Sequence, residues 1–89
     1  MSDTHEKFKR LIKVWAFIIE NEGSTIMNAA TRLGLNRGTL SKDLDTLERL
    51  GFIKREIVRG PPKRVELKLT EKGRKLADHV LAIYRELES

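Results

Sequence analysis

The apolar residues of this chain change period twice, and that limits the fold more than any other feature. Up to Leu50 they recur at helical steps; at Val65, Leu67 and Leu69 they alternate with Glu66 and Lys68; beyond Thr70 the helical step returns. In the first stretch, Thr4 to Glu22, the residues Phe8, Leu11, Ile12, Trp15, Ile18 and Ile19 share one helix face, and Gly23 stops the helix. Val14 and Phe17 lie off that stripe, so this helix has apolar surface for two partners at once. Ser24 to Met27 reads as a connection or a short strand. Ala29, Ala30 and Leu33 then make about two helical turns closed by Gly34, with Ser24 or Thr25 available as cap where Met27 is not. Leu35 is a buried plug, and Asn36 caps a longer helix with Leu40, Leu44, Leu47 and Leu50 inward, ending at Gly51. Two helices separated by a glycine-containing turn are a helix-turn-helix candidate.

After Gly51, Phe52 to Val58 mixes β-branched and basic residues and pairs naturally with the alternating run as an antiparallel hairpin. The link Arg59-Gly60-Pro61-Pro62-Lys63-Arg64 holds two prolines, which cannot join a ladder, so it belongs to an exposed loop. Thr70 caps one final helix, in which Leu76, Val80, Ile83, Tyr84 and Leu87 share a face that Ala77 and Leu81 widen. The expected fold is a single α+β, mostly helical domain over residues 1–89 in the order α-α-α-β-β-α, with room for a short strand after the first helix.

At 89 residues without cysteine, the chain has neither disulfides nor thiolate metal sites to supplement its core. A folded monomer of this size exposes roughly 5,400 Å² and buries about two-thirds of its unfolded surface. A homodimer is therefore expected, built from the first and last helices through Phe8, Leu11, Trp15, Val80, Ile83, Tyr84 and Leu87. The net charge of +5 is unevenly placed: Lys54 to Lys75 holds nine Lys or Arg against three acids. Such an excess points to a polyanionic partner. The longest apolar stretch, Val14 to Ile19, is far shorter than the roughly 20 residues of a membrane span, and the charged start lacks a signal-peptide layout. The expected location is the cytoplasm, associated with the nucleoid.

Three short motifs lie in register: Gly34-Leu35-Asn36 at the turn, Leu47 to Ile53 with its Leu-x-x-Leu-Gly-Phe-Ile pattern, and Leu69 to Gly73 reading Leu-Thr-Glu-Lys-Gly. Together they resemble winged helix-turn-helix regulators, most closely the multiple-antibiotic-resistance regulator (MarR) superfamily and its small archaeal relatives. The resemblance covers residues 24–75 and implies a double-stranded DNA partner. Members of typical length carry extra terminal helices that form the dimer and line an effector pocket, whereas this chain has one helix on each side.

On the helix after Asn36, a 100° step gathers Leu40, Leu44 and Leu47 and leaves Gly38, Ser41, Lys42, Asp45 and Arg49 on the opposite arc. A major groove about 12 Å wide admits a helix end whose first turns are slim, as Gly38, Thr39 and Ser41 are. Asn36, Arg37, Gly38, Thr39, Ser41 and Lys42 are thus the candidate reading residues, with Arg37 and Lys42 as donors to guanine or phosphate. Asp45 repels phosphate and limits reading to the first turns; Asp43 is expected to pair with a nearby lysine. Arg59, Lys63 and Arg64 form a basic wing suited to a narrow minor groove. Asn28, Thr31, Arg32, Lys54 and Arg55 are backbone-phosphate candidates. His5 and His79 lie at opposite ends of the chain, and no phosphate-binding glycine loop or metal-spaced cluster occurs, so no enzyme, cofactor or metal is expected. Sequence-specific binding as a transcriptional regulator, with operator occupancy as its mode of repression, is the leading expectation. A sequence-neutral chromatin protein and a winged-helix protein-interaction module are the alternatives.

Overall fold

The computed structural model describes residues 2–89, with side chains from Thr4 onward. Its elements are α1 (Ser2–Glu20), α2 (Ile26–Leu33), α3 (Arg37–Arg49), β1 (Ile53–Val58), β2 (Arg64–Leu69), α4 (Glu71–Lys75) and α5 (Ala77–Glu88). The expected winged helix-turn-helix order holds, with one change at the end of the chain. What reads as a single helix after Thr70 is broken at Leu76, whose N–H reaches back to Gly73 O at 3.2 Å while its own carbonyl starts α5 by accepting from Val80 N at 3.0 Å.

Local chemistry explains the helix starts. Thr25, in extended backbone, accepts from Asn28 N and caps α2; Asn36 does the same for α3 through Thr39 N at 2.8 Å; Thr70 caps α4 through Gly73 N. The hairpin is antiparallel, with Ile53 opposite Leu69, Arg55 opposite Leu67 and Ile57 opposite Val65 on one face, of which Ile53, Leu67 and Leu69 at the base are buried in the core while Ile57 toward the tip is exposed. The optional strand after the first helix is a single bridge between Thr25 and Glu66, flanked by Gly23 N to Leu67 O and Leu67 N to Ser24 O, both at 2.8 Å. β2 is thereby bonded along both edges.

The core gathers Val14, Trp15 and Ile18 of α1, Ala29, the leucines 40, 44 and 47 of α3, Ile53, Leu67, Leu69 and Val80. Val14, off the main stripe of α1, is completely buried, in keeping with a helix that has apolar surface for more than one partner: α1 packs against α5, α3, α2 and β2. Leu50 departs from expectation; it does not point inward and is 48% exposed. Ten residues beyond Leu40 it has rotated about 80° off the core face, and Phe52 fills the place beside Trp15 instead, the two rings stacked with centroids 4.5 Å apart.

The Leu47-to-Ile53 and Leu69-to-Gly73 motifs clasp one another. The Thr70 hydroxyl donates to Gly51 O at 2.5 Å, Thr70 N to Phe52 O at 3.1 Å and Lys72 Nζ to Leu50 O at 2.9 Å, with the Lys72 ammonium 5.0 Å from the Phe52 ring centre. Gly73 is buried directly against the Phe52 carbonyl, where a Cβ would run into it. These motif residues fix the hairpin base to α4.

Candidate nucleic-acid interface

The turn between α2 and α3 is set by Gly34, which ends α2 in the left-handed region at φ 68° and donates to the carbonyls of Ala30 and Thr31. Leu35 then packs on the core and Asn36 caps α3. This short turn leaves the start of α3 at the surface.

α3 presents three faces. Leu40, Leu44 and Leu47 face the core; Arg37, Gly38, Lys42, Asp45 and Arg49 are exposed; Thr39, Asp43 and Thr46 form a flank toward α1. Ser41 is half-buried beside the exposed arc. Thr39, half-buried, lines a groove of about 380 Å³ between α1 and α3 together with Lys42. Asp43 is buried and pairs with Arg10 of α1, not with a lysine. That hydrogen bond, against the opposing effect of burial, raises Arg10 above the ordinary arginine pKa.

The wing consists of the exposed turn 59–63 and the strand ends beside it, with Arg64 opening β2 opposite Val58 rather than lying in the loop. Arg59 and Lys63 are exposed and have no ion-pair partner among the described residues. Arg64 donates through Nε to Glu66 at 2.9 Å, and Lys68 approaches the same carboxylate at 3.7 Å. Arg55, on the inner face of β1, donates to Asp45 at 2.7 Å and Glu48 at 2.5 Å. The Glu48 bond, with Asp45 behind it, outweighs desolvation and raises the Arg55 pKa. The Asp45 charge is thereby compensated inside the protein, and Arg55 is less free for phosphate than Lys54, which is exposed and unpaired among the described residues. Asn28, Thr31 and Arg32 lie exposed on α2, with the Arg32 guanidinium 5.5 Å from the Phe17 ring centre.

Sequence periodicity did not reveal Glu22. Burial pushes its pKa up, but the Leu69 N–H at 3.0 Å, Arg74 at 2.8 Å and the charge of Lys68 more than offset this, and the carboxyl sits below its ordinary value. Of the residues expected in a dimer, Trp15 and Val80 lie in the chain's own core, Leu11, Tyr84 and Leu87 are half-buried, and Phe8 and Ile83 are 49% and 42% exposed.

A family model described as HxlR-like helix-turn-helix matches residues 8–88. The chain belongs to the HxlR-like helix-turn-helix family. Among curated proteins, an HTH-type transcriptional regulator, TtmR of Methylorubrum extorquens (strain PA1), is 34% identical over 73 residues, which is 82% of this chain and 35% of that relative. The chain thus spans about a third of the relative's length. Among solved structures, a transcriptional regulator homologue from Pyrococcus horikoshii OT3 aligns with a TM-score of 0.74 at 20% identity, covering 98% of this chain and 94% of that one. FabT of Streptococcus pneumoniae, solved in complex with DNA, aligns with a TM-score of 0.70 at 26% identity over 88% of this chain and 55% of FabT. The winged helix-turn-helix fold and the resemblance to MarR-type regulators stand on these likenesses. Among the described residues of this HxlR-like chain, no group of three or more His, Asp or Glu is placed to hold a metal ion, and no helix is long and apolar enough to cross a membrane.

Proposed function

We propose that the chain binds double-stranded DNA sequence-specifically and acts in the cytoplasm, on the nucleoid, as a homodimeric transcriptional regulator that represses by occupying its operator. The observation that carries this reading is the exposed arc at the start of α3. Arg37 and Lys42 project from it without a carboxylate partner among the described residues, while the acidic second half of the helix is neutralised by Arg55. FabT, solved with DNA, and TtmR, a transcriptional regulator, support the same partner and role.

In this arrangement α3 enters the major groove by its first turns, placing Asn36, Arg37, Gly38, Ser41 and Lys42 near base edges, with Thr39 at the margin. Arg59, Lys63 and Arg64 of the wing meet the adjacent minor groove or phosphates, and Asn28, Thr31, Arg32 and Lys54 follow the backbone. Arg55 joins them only by releasing Asp45 and Glu48. Titration of a random duplex and of a duplex selected in vitro, at one fixed salt, tests the reading. A specific binder prefers its site by a factor on the order of 10³ or more; equal affinities would identify a sequence-neutral chromatin protein, and no binding at moderate salt a protein-interaction module.

Gly38 offers a sharper check. Nothing inside the protein requires glycine there, since an added Cβ would have the Asn36 Oδ1 as its nearest neighbour at 3.5 Å, an ordinary contact. A helical glycine costs up to about 1 kcal/mol relative to alanine. Gly38→Ala should therefore stabilise the fold in urea denaturation while weakening the selected duplex, because the new methyl projects toward the groove. A stabilised variant with undiminished affinity would show that this part of α3 stays clear of DNA.

The dimer rests on leftover surface. The chain exposes 6036 Å², above the roughly 5,400 Å² expected of a monomer its size, and Phe8 and Ile83 contribute apolar area to it. Sedimentation at micromolar concentration should give twice the chain mass, and Phe8→Glu should shift it toward monomer. Two-fold symmetry then calls for a palindromic site with half-sites about 34–36 Å apart. A monomeric wild type with full DNA affinity would refute the dimer.

A further inference from the structure

α3 carries one buried charge. Asp43 is 5% exposed on the flank between the core leucines and the outward arc, and the Arg10 guanidinium of α1 grips it at two points, Nε to Oδ2 at 2.7 Å and Nη2 to Oδ1 at 3.0 Å. Lys7 and Phe8 on α1 and Thr39, Lys42 and Thr46 on α3 border the groove beside this fork. Thr46 is committed to its own helix, donating to Lys42 O at 3.0 Å, and the Thr39 N–H bonds the Asn36 cap. The fork is thus the directional side-chain contact between α1 and α3 among the described residues.

An apolar pair would join the two helices about as well, since Asp43 is buried while Arg10 is only half-buried, and such an ion pair adds little net stability over packed hydrophobic side chains. Leu40, Leu44 and Leu47 hold α3 against the core by contacts that have no preferred direction. A planar guanidinium bound edge-on to a carboxylate resists both rotation of the helix about its axis and sliding along its neighbour. Lys42 precedes Asp43 by one residue, about 100° around the helix, so a rotation that moves Asp43 carries Lys42, Ser41 and Arg37 with it.

We propose that Arg10, acting through Asp43, is a positioning residue for base reading: it sets the rotation of α3 against α1 at which Arg37, Ser41 and Lys42 face the base edges. This rests on the DNA-reading function proposed above. Phosphate contacts tolerate small displacements of a point charge, whereas hydrogen bonds to base edges do not. Loss of the fork therefore affects discrimination rather than general affinity.

The test is the charge-neutral double variant Arg10→Met/Asp43→Leu, which removes the fork, keeps net charge constant and leaves apolar groups in its place. Its Tm should equal or exceed that of the wild type, and its affinity for a random-sequence duplex should stay within about twofold. Its affinity for the duplex selected in vitro by the wild type should fall about tenfold or more, and Arg10→Lys, which keeps the charge but not the fork, should fall between. An unchanged ratio of selected to random affinity in the folded double variant overturns the positioning role and leaves DNA reading intact, as does an equal loss on both duplexes. A wild type without preference for any duplex overturns DNA reading itself and the proposal with it. Should the double variant not fold, the same ratio measured on Arg10→Lys decides, because that variant leaves Asp43 paired with a cation.

Discussion

Gly73→Ala should lower the melting temperature by roughly 15 °C, because its methyl group would meet backbone that has nowhere to go. Gly73 lies in the first turn of α4, buried, and the nearest atoms to an added Cβ are the carbonyl oxygen, carbonyl carbon and Cα of Phe52. A flexible side chain could swing aside, but the Phe52 carbonyl is held in place by Thr70 N and by the residues around it. Thr70 also bonds Gly51 O, Lys72 bonds Leu50 O, and the Phe52 ring is stacked on Trp15. Relief would require moving α4 away from the hairpin base and losing those bonds. Overpacking a core costs about 1–3 kcal/mol, and a backbone obstacle belongs at the upper end. For a domain this small, each kcal/mol is worth about 4–8 °C. Thermal unfolding followed by circular dichroism measures it; a shift under about 3 °C would show that α4 can retreat cheaply. Gly38→Ala, moving the other way, is the control that separates close approach from helix propensity.

The contrast between these glycines shows which parts of the molecule were legible in the sequence. Elements whose causes are local were readable: the caps Asn36 and Thr70, the stop at Gly34, and the alternation of Val65, Leu67 and Leu69 each declare themselves within a few residues, and local chemistry narrows the α2 cap to Ser24 or Thr25, of which Thr25 takes it. Contacts between distant segments were not. Arg10 and Asp43 are 33 residues apart, Glu22 and Leu69 are 47 apart, and Arg74 and Glu22 are 52 apart. Each depends on which helix faces which, and that is settled by packing. Asp43 did leave a trace, since it lies one helical step from Leu40 and Leu47 at the edge of the core stripe, where an unpaired carboxylate would be costly. Leu50 misled because its spacing extends the leucine ladder beyond the point where α3 ends and the chain turns at Gly51.

The motifs that carry the family resemblance and the residues that would carry the function are largely different. Thr70, Lys72 and Gly73 hold the hairpin base against Phe52 and leave little to offer a ligand, even though Lys72 belongs to the most basic segment of the chain. Basic residues therefore sort by what already holds them. Lys72, Arg55, Arg64 and Arg74 have partners within the protein, whereas Arg37, Lys42, Lys54, Arg59 and Lys63 have no ion-pair partner among the described residues. Overall charge measures the attraction for a polyanion, but of these two groups only the second could bind one without first breaking an ion pair or hydrogen bond within the protein.

That division sets the largest effect expected on DNA binding. Arg37→Ala/Lys42→Ala should collapse the preference for the selected duplex, while Arg59→Ala/Arg64→Ala should weaken all duplexes alike. A good bidentate base contact discriminates by about 1–3 kcal/mol, so losing two per protomer should reduce the ratio of selected to random affinity by about a hundredfold or more. Neither side chain packs in the core, so Tm should be unchanged. Ser41→Ala should follow the same pattern more weakly, since one neutral hydrogen bond is worth only about 0.5–1.5 kcal/mol. At the wing, each lost phosphate contact should flatten the slope of log affinity against log salt by about 0.9, with Arg64 contributing less than Arg59 because binding must first displace Glu66. Paired isotherms on both duplexes at several salt concentrations separate the two classes. Equal losses from the α3 variant on both duplexes, with a reduced salt slope, would make Arg37 and Lys42 phosphate contacts and leave α3 holding DNA without reading it.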